Sequence, residues 1–333
     1  MRQRITNFFP GLLALVFGFP MWTYLTLPAD DSNDINISEK EKSTHQYIRI
    51  ERNARELASV LQTSVIRFAN SQQFPGRTVD LIGAIHLGEA AYYKELNRRF
   101  AEYDALLYEA VIPEEALQQG LRPGSHGSGR SLSDDEAWTE SKVGLATISA
   151  LQIGMKDVLG LEFQLAGVDY TPDNFVHADM TQEEMEESMA RRGESFSEML
   201  AREMAKAAVQ QQQRNPLAVN LDLLLSVLSS DRQYRVRRIA AVEMVKASTG
   251  DTFATSDGTS TIITERNIKA LNVLRRELKR RKNQELGLFY GAGHFADMEQ
   301  RMVDELGFER VAEDWVTAWE LRPSTTQQPG KHR

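Results

Sequence analysis

Short apolar runs that are rich in β-branched and aromatic residues recur along the chain, and they predict β-strands. They cover residues 47–50, 78–84, 105–111, 164–168, 286–290 and 315–321. Longer stretches with apolar residues at helical spacing lie between them and predict helices, at 88–102, 181–247 and 264–282. Because strands and helices alternate, we expect an α/β fold with a mixed β-sheet core.

The sequence contains two similar four-residue segments, each of the form Gly-x-x-His. Residues 83–86 read GAIH and residues 291–294 read GAGH, and they directly follow the apolar strand positions 79–82 and 286–290. An acidic residue lies three positions after each histidine, Glu89 in the first case and Asp297 in the second. A predicted helix and a further strand follow both segments, so the likeness extends beyond the four residues.

The likeness also extends upstream of the two segments. The tripeptide Glu-Arg-Asn occurs at 51–53 and again at 265–267, each time at the start of a helical pattern. We therefore expect a duplicated helix–strand–turn–helix–strand unit, at 51–111 and 265–321.

A helical insertion, at about 136–247, is predicted between the two units. Duplicated units usually bury their apolar faces against each other. The strands at 79–82 and 286–290 are therefore expected in one sheet, although they are far apart in the sequence.

The two Gly-x-x-His segments are candidates for a shared site. Glycine permits a sharp exit from a strand, so Gly83, Gly291 and Gly293 are predicted to shape the turns. The histidines, His86 and His294, then lie at the carboxyl ends of strands, where open α/β sheets place their ligands. Two turns related by pseudo-symmetry are expected to point both imidazoles into one crevice.

Two histidines and one carboxylate form a recognised metal site that keeps positions open for water and substrate. Imidazole suits Mn, Co, Zn and Fe, and a divalent ion of this group would activate water and polarise a carbonyl. Glu109 is the candidate carboxylate, because it ends the strand after the first turn. A further acid is needed as general base or orienter, and Glu265 and Glu320 are both candidates.

Composition limits the other functions that the chain can have. It has 333 residues, no cysteine and a formal net charge of −8. The lack of cysteine excludes disulfides, thiolate nucleophiles and iron–sulfur clusters, and the acidic balance argues against nucleic acid as a partner. The sequence also lacks a Gly-x-Ser-x-Gly elbow, a Walker loop, a His-Glu-x-x-His motif and a dinucleotide fingerprint.

The N-terminal segment 1–28 has the features of an export signal. Arg2 and Arg4 precede an uncharged run at 8–27, and acidic residues follow it, which orients the rest of the chain outside the cytoplasm. The segment is either a signal anchor, giving a single-pass protein of the cell membrane, or a cleaved signal peptide, giving a secreted one. We expect a linker at 29–45, a folded domain at 46–322 and a disordered tail at 323–333.

Taken together, these motifs resemble the TraB/GumN–TIKI family over roughly residues 47–321. The resemblance rests on the paired Gly-x-x-His turns, the Tyr-Glu at 108–109, the Glu-Arg-Asn at 265–267 and the closing YGAGHFADM at 290–298. The family is viewed as related to erythromycin-esterase-like and ChaN-like folds, and its animal TIKI branch comprises membrane-tethered, metal-dependent peptidases. The resemblance implies a metal-dependent hydrolase of a peptide or small acyl substrate.

In that family reading, His86, Glu109 and His294 hold the metal, and Arg266 is a structural or substrate-facing residue. Glu109, Glu265 and Arg266 are the candidate catalytic residues.

Two other functions remain open: a non-catalytic protein that sequesters a small ligand in the same crevice, and an interaction protein that works through the helical insertion. His177-Ala178-Asp179 resembles a ligand group, but a loop histidine near Pro172 is more often a surface residue.

Overall fold

A computed structural model describes residues 46–123, 159–195, 198, 231–248 and 259–323. The predicted export segment, the linker up to residue 45 and the tail from residue 324 lie outside the described residues, as do parts of the predicted insertion. Within the described ranges, the helices are too short or too polar to cross a membrane.

Nine strands are present in the part of the chain that the structure describes. They are β1 Ile48–Arg52, β2 Ala58–Ala69, β3 Thr78–Ala84, β4 Leu87–Gly88, β5 Ala105–Tyr108, β6 Glu162–Phe163, β7 Phe175–His177, β8 Glu285–Gly291 and β9 Glu309–Glu320.

Seven α-helices lie between or after these strands within the same ranges. They are α1 Ala90–Phe100, α2 Glu114–Gln118, α3 Gln164–Gly167, α4 Gln182–Arg192, α5 Arg232–Ser248, α6 Arg266–Leu278 and α7 Phe295–Asp304. A π-helical turn, Thr261–Glu265, leads directly into α6, and a 3₁₀ turn, Ala292–His294, leads directly into α7.

Seven of the strands form one mixed sheet, in which the chain order is strongly permuted. The order runs β9–β2–β3–β8–β5–β7. Strands β1 and β3 both pair with the side of β2 that faces away from β9: β1 with its first half and β3 with its second half. Strand β2 is antiparallel to β1, β3 and β9, whereas β3, β8, β5 and β7 are mutually parallel. The remaining strands, β4 and β6, form a separate antiparallel pair.

The core is built on the parallel strands, which are apolar along nearly their whole length. In β3, every residue from Val79 to Ala84 is buried, as expected for a strand covered on both faces. Aromatic and aliphatic side chains of the helices pack on these strands, with buried Tyr92, Tyr93, Leu96 and Phe100 from α1, Leu271 and Leu274 from α6, and Phe295, Met298 and Met302 from α7.

The expectation that residues 79–82 and 286–290 share a sheet is confirmed. Strands β3 and β8 are direct parallel neighbours, with Val79 beside Leu286 and Ile82 beside Phe289. The two Gly-x-x-His segments therefore leave the sheet at the same edge, from adjacent strands.

The helix expected at the start of the first unit is wrong. Residues 51–52 end β1, and residues 58–69 form β2, the longest strand of the first unit. Residues 61–66 of β2 are all buried, so apolar and polar positions do not alternate there. The Glu-Arg-Asn tripeptide at 51–53 does not mark the start of a helix. β-Branched residues, which favour strands, are frequent in this segment.

Two further predictions need correction. Residues 164–168 were expected to form a strand, but Gln164–Gly167 is a short helix, in which Gln164 is buried. The insertion at 136–247 also contains a strand that was not predicted, because β7 joins the main sheet beside β5. A three-residue strand is too short to show a period, which is why the pattern did not reveal it.

Candidate functional site

The candidate site lies at one edge of the sheet, where four parallel strands end. Glu109 follows β5, Asp179 follows β7, and the two histidine turns follow β3 and β8. The carboxyl ends of parallel strands are where α/β folds place ligand sites. Arg266, the first residue of α6, brings the amino end of that helix to the same place.

A buried arginine joins two of these strand ends. Arg266 donates from Nε to Asp179 Oδ1 (2.9 Å) and from Nη2 to Asp179 Oδ2 (2.6 Å). The same Nη2 donates to Glu109 Oε1 at 2.6 Å. Asp179 is fully buried and 8 % of Arg266 is exposed, so both charges depend on this pairing for their solvation.

The second carboxylate oxygen of Glu109, Oε2, is bound by the second Gly-x-x-His turn. Gly291 donates its backbone N–H to Glu109 Oε2 at 2.6 Å. Glu109 Oε1 also lies 3.6 Å from His294 Nε2. Glu109 is therefore the residue that connects α6, β5 and the turn after β8.

His294 is held in one tautomer by Asn267. The Nδ2 group of Asn267 donates to the carbonyl oxygen of His294 (3.1 Å) and to Asp297 Oδ2 (2.8 Å), which leaves Oδ1 facing the ring. His294 Nδ1 lies 2.6 Å from this oxygen, and an amide oxygen only accepts. Nδ1 thus carries the proton, and Nε2 presents a lone pair toward Glu109.

The protonation of these groups follows from burial and from the charges around them. Burial lowers the pKa of His294 to about 4, against the opposing effect of Glu109, so the imidazole is neutral at pH 7. Burial alone would raise the pKa of Glu109, but Arg266, His294 and the Gly291 N–H outweigh it and lower that pKa. The site at neutral pH therefore contains an ionised carboxylate beside a neutral imidazole.

His86 occupies the corresponding turn after β3. Its backbone is fixed by neighbouring donors, since Gln164 N–H bonds the His86 carbonyl (2.9 Å) and Trp319 Nε1–H bonds the Leu87 carbonyl (2.6 Å). The side chain is exposed to solvent, yet surrounding protein lowers its pKa, and the charges of Glu109 and Arg266 both act on it. His86 is therefore an exposed residue whose imidazole lies within electrostatic range of Glu109 and Arg266.

Of the two candidate general bases, neither contacts Glu109 or His294 in the part of the chain that the structure describes. Glu265 lies in the π-helical turn and its carboxylate is 3.6 Å from Arg192. Burial raises the pKa of Glu320, and the neighbouring charge of Glu89 raises it further. Asp179 is instead the second carboxylate of the site.

The predicted turn-shaping glycines have different physical roles. A Cβ on Gly83 would lie 3.1 Å from the Ser64 carbonyl oxygen, so close approach of β2 requires glycine there. A Cβ on Gly291 would lie 3.3 Å from Glu109 Oε2. Gly293 has open space around that position and no left-handed backbone angle, so sterics do not require glycine at this residue.

Asp179 and Asn267 belong to the site but were not among the residues that the sequence predicted for it. The surface role expected for His177 is wrong, because this residue ends β7 and its ring bonds the Ala110 carbonyl. Asp179 is fully buried against Arg266. Its position shortly after the apolar pair Phe175-Val176 was the available signal. Asn267 belongs to the Glu-Arg-Asn tripeptide, and its adjacency to Arg266 was visible, but its pairing with His294 depends on the tertiary structure.

The donor set fits a divalent metal in part. His294 Nε2 and Glu109 Oε1 present an imidazole lone pair and a carboxylate side by side, as zinc, manganese, cobalt and iron require. Among the described residues, however, no three His, Asp or Glu side chains are grouped closely enough to count as a ligand cluster.

Comparison with known proteins gives no further assignment. Protein-family models, curated proteins and solved structures were compared with the chain, and none matches it.

Proposed function

We propose that this protein is a metal-dependent hydrolase of peptide or other acyl bonds, as its resemblance to the TraB/GumN–TIKI family implies. It acts outside the cytoplasm, tethered or released by its N-terminal segment. His294, Glu109 and His86 hold the divalent metal. One observation carries the proposal: the neutral imidazole of His294 presents Nε2 to the ionised carboxylate of Glu109, 3.6 Å away.

The surrounding residues each have a defined task in this proposal. A bound divalent ion supplies Lewis acidity and lowers the pKa of water. Asn267 keeps the His294 proton on Nδ1, so that Nε2 stays available. Arg266 balances the charge of Glu109, and Gly291 fixes the direction of its carboxylate.

The proposal includes the origin of the site in a duplication. Each Gly-x-x-His turn follows a strand and precedes a helix, and these two strands are adjacent and parallel. A pseudo-symmetric pair of turns brings one histidine from each unit to the same edge. The first unit opens with a strand, so the proposed repeat is limited to strand, turn, helix and strand.

The test combines metal content with turnover. Purified full-length chain is analysed for bound metals and assayed on libraries of peptides and esters, together with His86→Ala and His294→Ala. His332→Ala, at the second-last residue, is the matched control. We expect one divalent ion per chain and turnover in the wild type and the control, and loss of both in the two site variants.

Other results point to the alternatives. Metal binding without turnover of any substrate supports a protein that sequesters a small ligand. A wild-type chain that neither binds metal nor turns over substrate overturns the proposal and favours an interaction protein.

A further inference from the structure

Arg266 has hydrogen-bonding capacity that its two carboxylate partners leave unused. A guanidinium has five N–H groups, and here Nε and Nη2 bond Asp179 and Glu109. Within the described residues, Nη1 has no hydrogen-bond partner. In the described residues, the buried side-chain atoms without a hydrogen-bond partner are Ser64 Oγ, Gln164 Oε1 and Asn283 Oδ1. Arg266 Nη1 is not one of them, so this nitrogen is in contact with solvent.

The hydrogen bonds of Nε and Nη2 also fix the position of Nη1, although Nη1 itself makes none of them. Asp179 holds the guanidinium through two parallel hydrogen bonds, which define its plane as well as its place. The Nη2 contact places the group 2.6 Å from Glu109 Oε1, the oxygen that faces His294. Nη1 is therefore a rigid donor at the edge of the proposed reaction centre.

The charge balance of the site indicates which ligand suits this donor. Asp179 and Glu109 contribute two negative charges and Arg266 one positive charge, so this cluster has a net charge of −1. These two carboxylates already neutralise the Arg266 charge, so Nη1 offers a ligand a hydrogen bond rather than an unpaired positive charge. A neutral carbonyl oxygen accepts the same hydrogen bond, and gains negative charge only when it reacts.

We infer that Arg266 Nη1 binds the carbonyl oxygen of the acyl bond that is hydrolysed, and stabilises the negative charge that develops there. The inference rests on the proposed function. As water adds to the carbonyl carbon, a C–O bond forms, the water proton passes to solvent and the π electron pair moves onto the oxygen. The pair then returns, and the amine or alcohol leaves with a proton from solvent.

The test uses an acyl substrate that the wild-type chain hydrolyses. Arg266→Gly removes the guanidinium and leaves space for guanidinium ion added at millimolar concentration. We expect kcat to fall about 10²–10³-fold with little change in KM, as for removal of an oxyanion donor, and added guanidinium to restore part of it. The matched control is Arg192→Gly, which removes a guanidinium paired with Glu194; guanidinium should not change its kcat.

A second measurement needs no variant. The same substrate is made with sulfur in place of the carbonyl oxygen, since sulfur accepts hydrogen bonds poorly. We expect the enzyme to prefer oxygen over sulfur by at least about tenfold more than alkaline hydrolysis does.

The outcomes separate this inference from the proposed function. No turnover by the wild type means that the proposed function fails. Turnover that survives in a folded Arg266→Gly chain, or a rise in KM alone, overturns the role of Nη1. The role of Nη1 is also overturned if the enzyme and alkaline hydrolysis show the same ratio of rates for the oxygen and sulfur substrates. This result does not depend on whether the variant folds.

Discussion

His294 Nε2 lies 3.6 Å from Glu109 Oε1, so a neutral imidazole and an ionised carboxylate face each other across the ends of two neighbouring strands. The pair is asymmetric, because Glu109 is held at both oxygens while His294 keeps one nitrogen free. This asymmetry makes the free nitrogen of His294 the natural point of attachment for a ligand.

Asn267 is expected to control the metal affinity of His294. Asn267→Ala removes the acceptor for Nδ1–H and frees the ring to rotate. Loss of such a supporting bond typically weakens metal binding about 10–100-fold. Competition with a chromophoric chelator measures the affinity. Asn272→Ala, an exposed asparagine on the same helix, is the control, and equal effects of the two substitutions would contradict the role of Asn267.

Asp179 is expected to be essential for stability. Asp179→Ala leaves the Arg266 guanidinium buried with Glu109 as its remaining carboxylate partner. Breaking a buried ion pair by removing one member costs about 3–5 kcal/mol of the free energy of unfolding. Urea denaturation measures the loss. The exposed Asp173→Ala should change stability by less than about 0.5 kcal/mol, and a similar loss in both variants would argue against the ion pair.

The two Gly-x-x-His turns should respond differently to alanine. Gly83→Ala places a Cβ 3.1 Å from the Ser64 carbonyl oxygen, and the resulting overpacking should cost about 1–3 kcal/mol of stability. Gly293→Ala meets nothing within 4 Å and should be neutral or stabilising by about 0.4–1 kcal/mol, because alanine restricts the unfolded chain. Thermal unfolding of both variants is the measurement. A larger loss for Gly293→Ala would show that the second turn needs glycine for another reason.

His177 should contribute to a loss of stability in acid. Burial lowers its pKa below the ordinary value of 6.5, although its bond to the Ala110 carbonyl opposes this. Below pH 6.5 the unfolded chain therefore binds a proton that the folded chain does not, and stability falls with pH until the folded pKa is reached. His177→Gln should make this fall shallower by up to about 1.4 kcal/mol per pH unit.

The measurement for His177 is the free energy of unfolding between pH 8 and pH 5. At pH 8 His177 is neutral in both the folded and the unfolded chain, so any difference in stability between variant and wild type reflects packing alone. An unchanged slope below pH 6.5 would mean that the folded His177 titrates like the unfolded one.

Some of the site was accessible from the sequence because it depends on local features. The strands before Gly83 and Gly291 are apolar runs of the correct length, and the strand expected at 105–111 begins at the predicted residue and ends at Tyr108. The likeness of the two turns was enough to predict that β3 and β8 share a sheet. In contrast, β2 is buried along both faces and shows no period of two, so its sequence was read as part of a helical unit.

The sequence alone located the candidate residues at or just beyond the strands: the histidines of the two turns and the glutamate after Tyr108. Only the tertiary structure decided which strand ends are neighbours, by placing β8 between β3 and β5 and adding β7 beyond β5. That order rests on hydrogen bonds between segments far apart in the chain, which leave no local pattern. Asp179 and Arg266 became partners for the same reason, since a buried charge is stabilised by whatever opposite charge the fold brings to it.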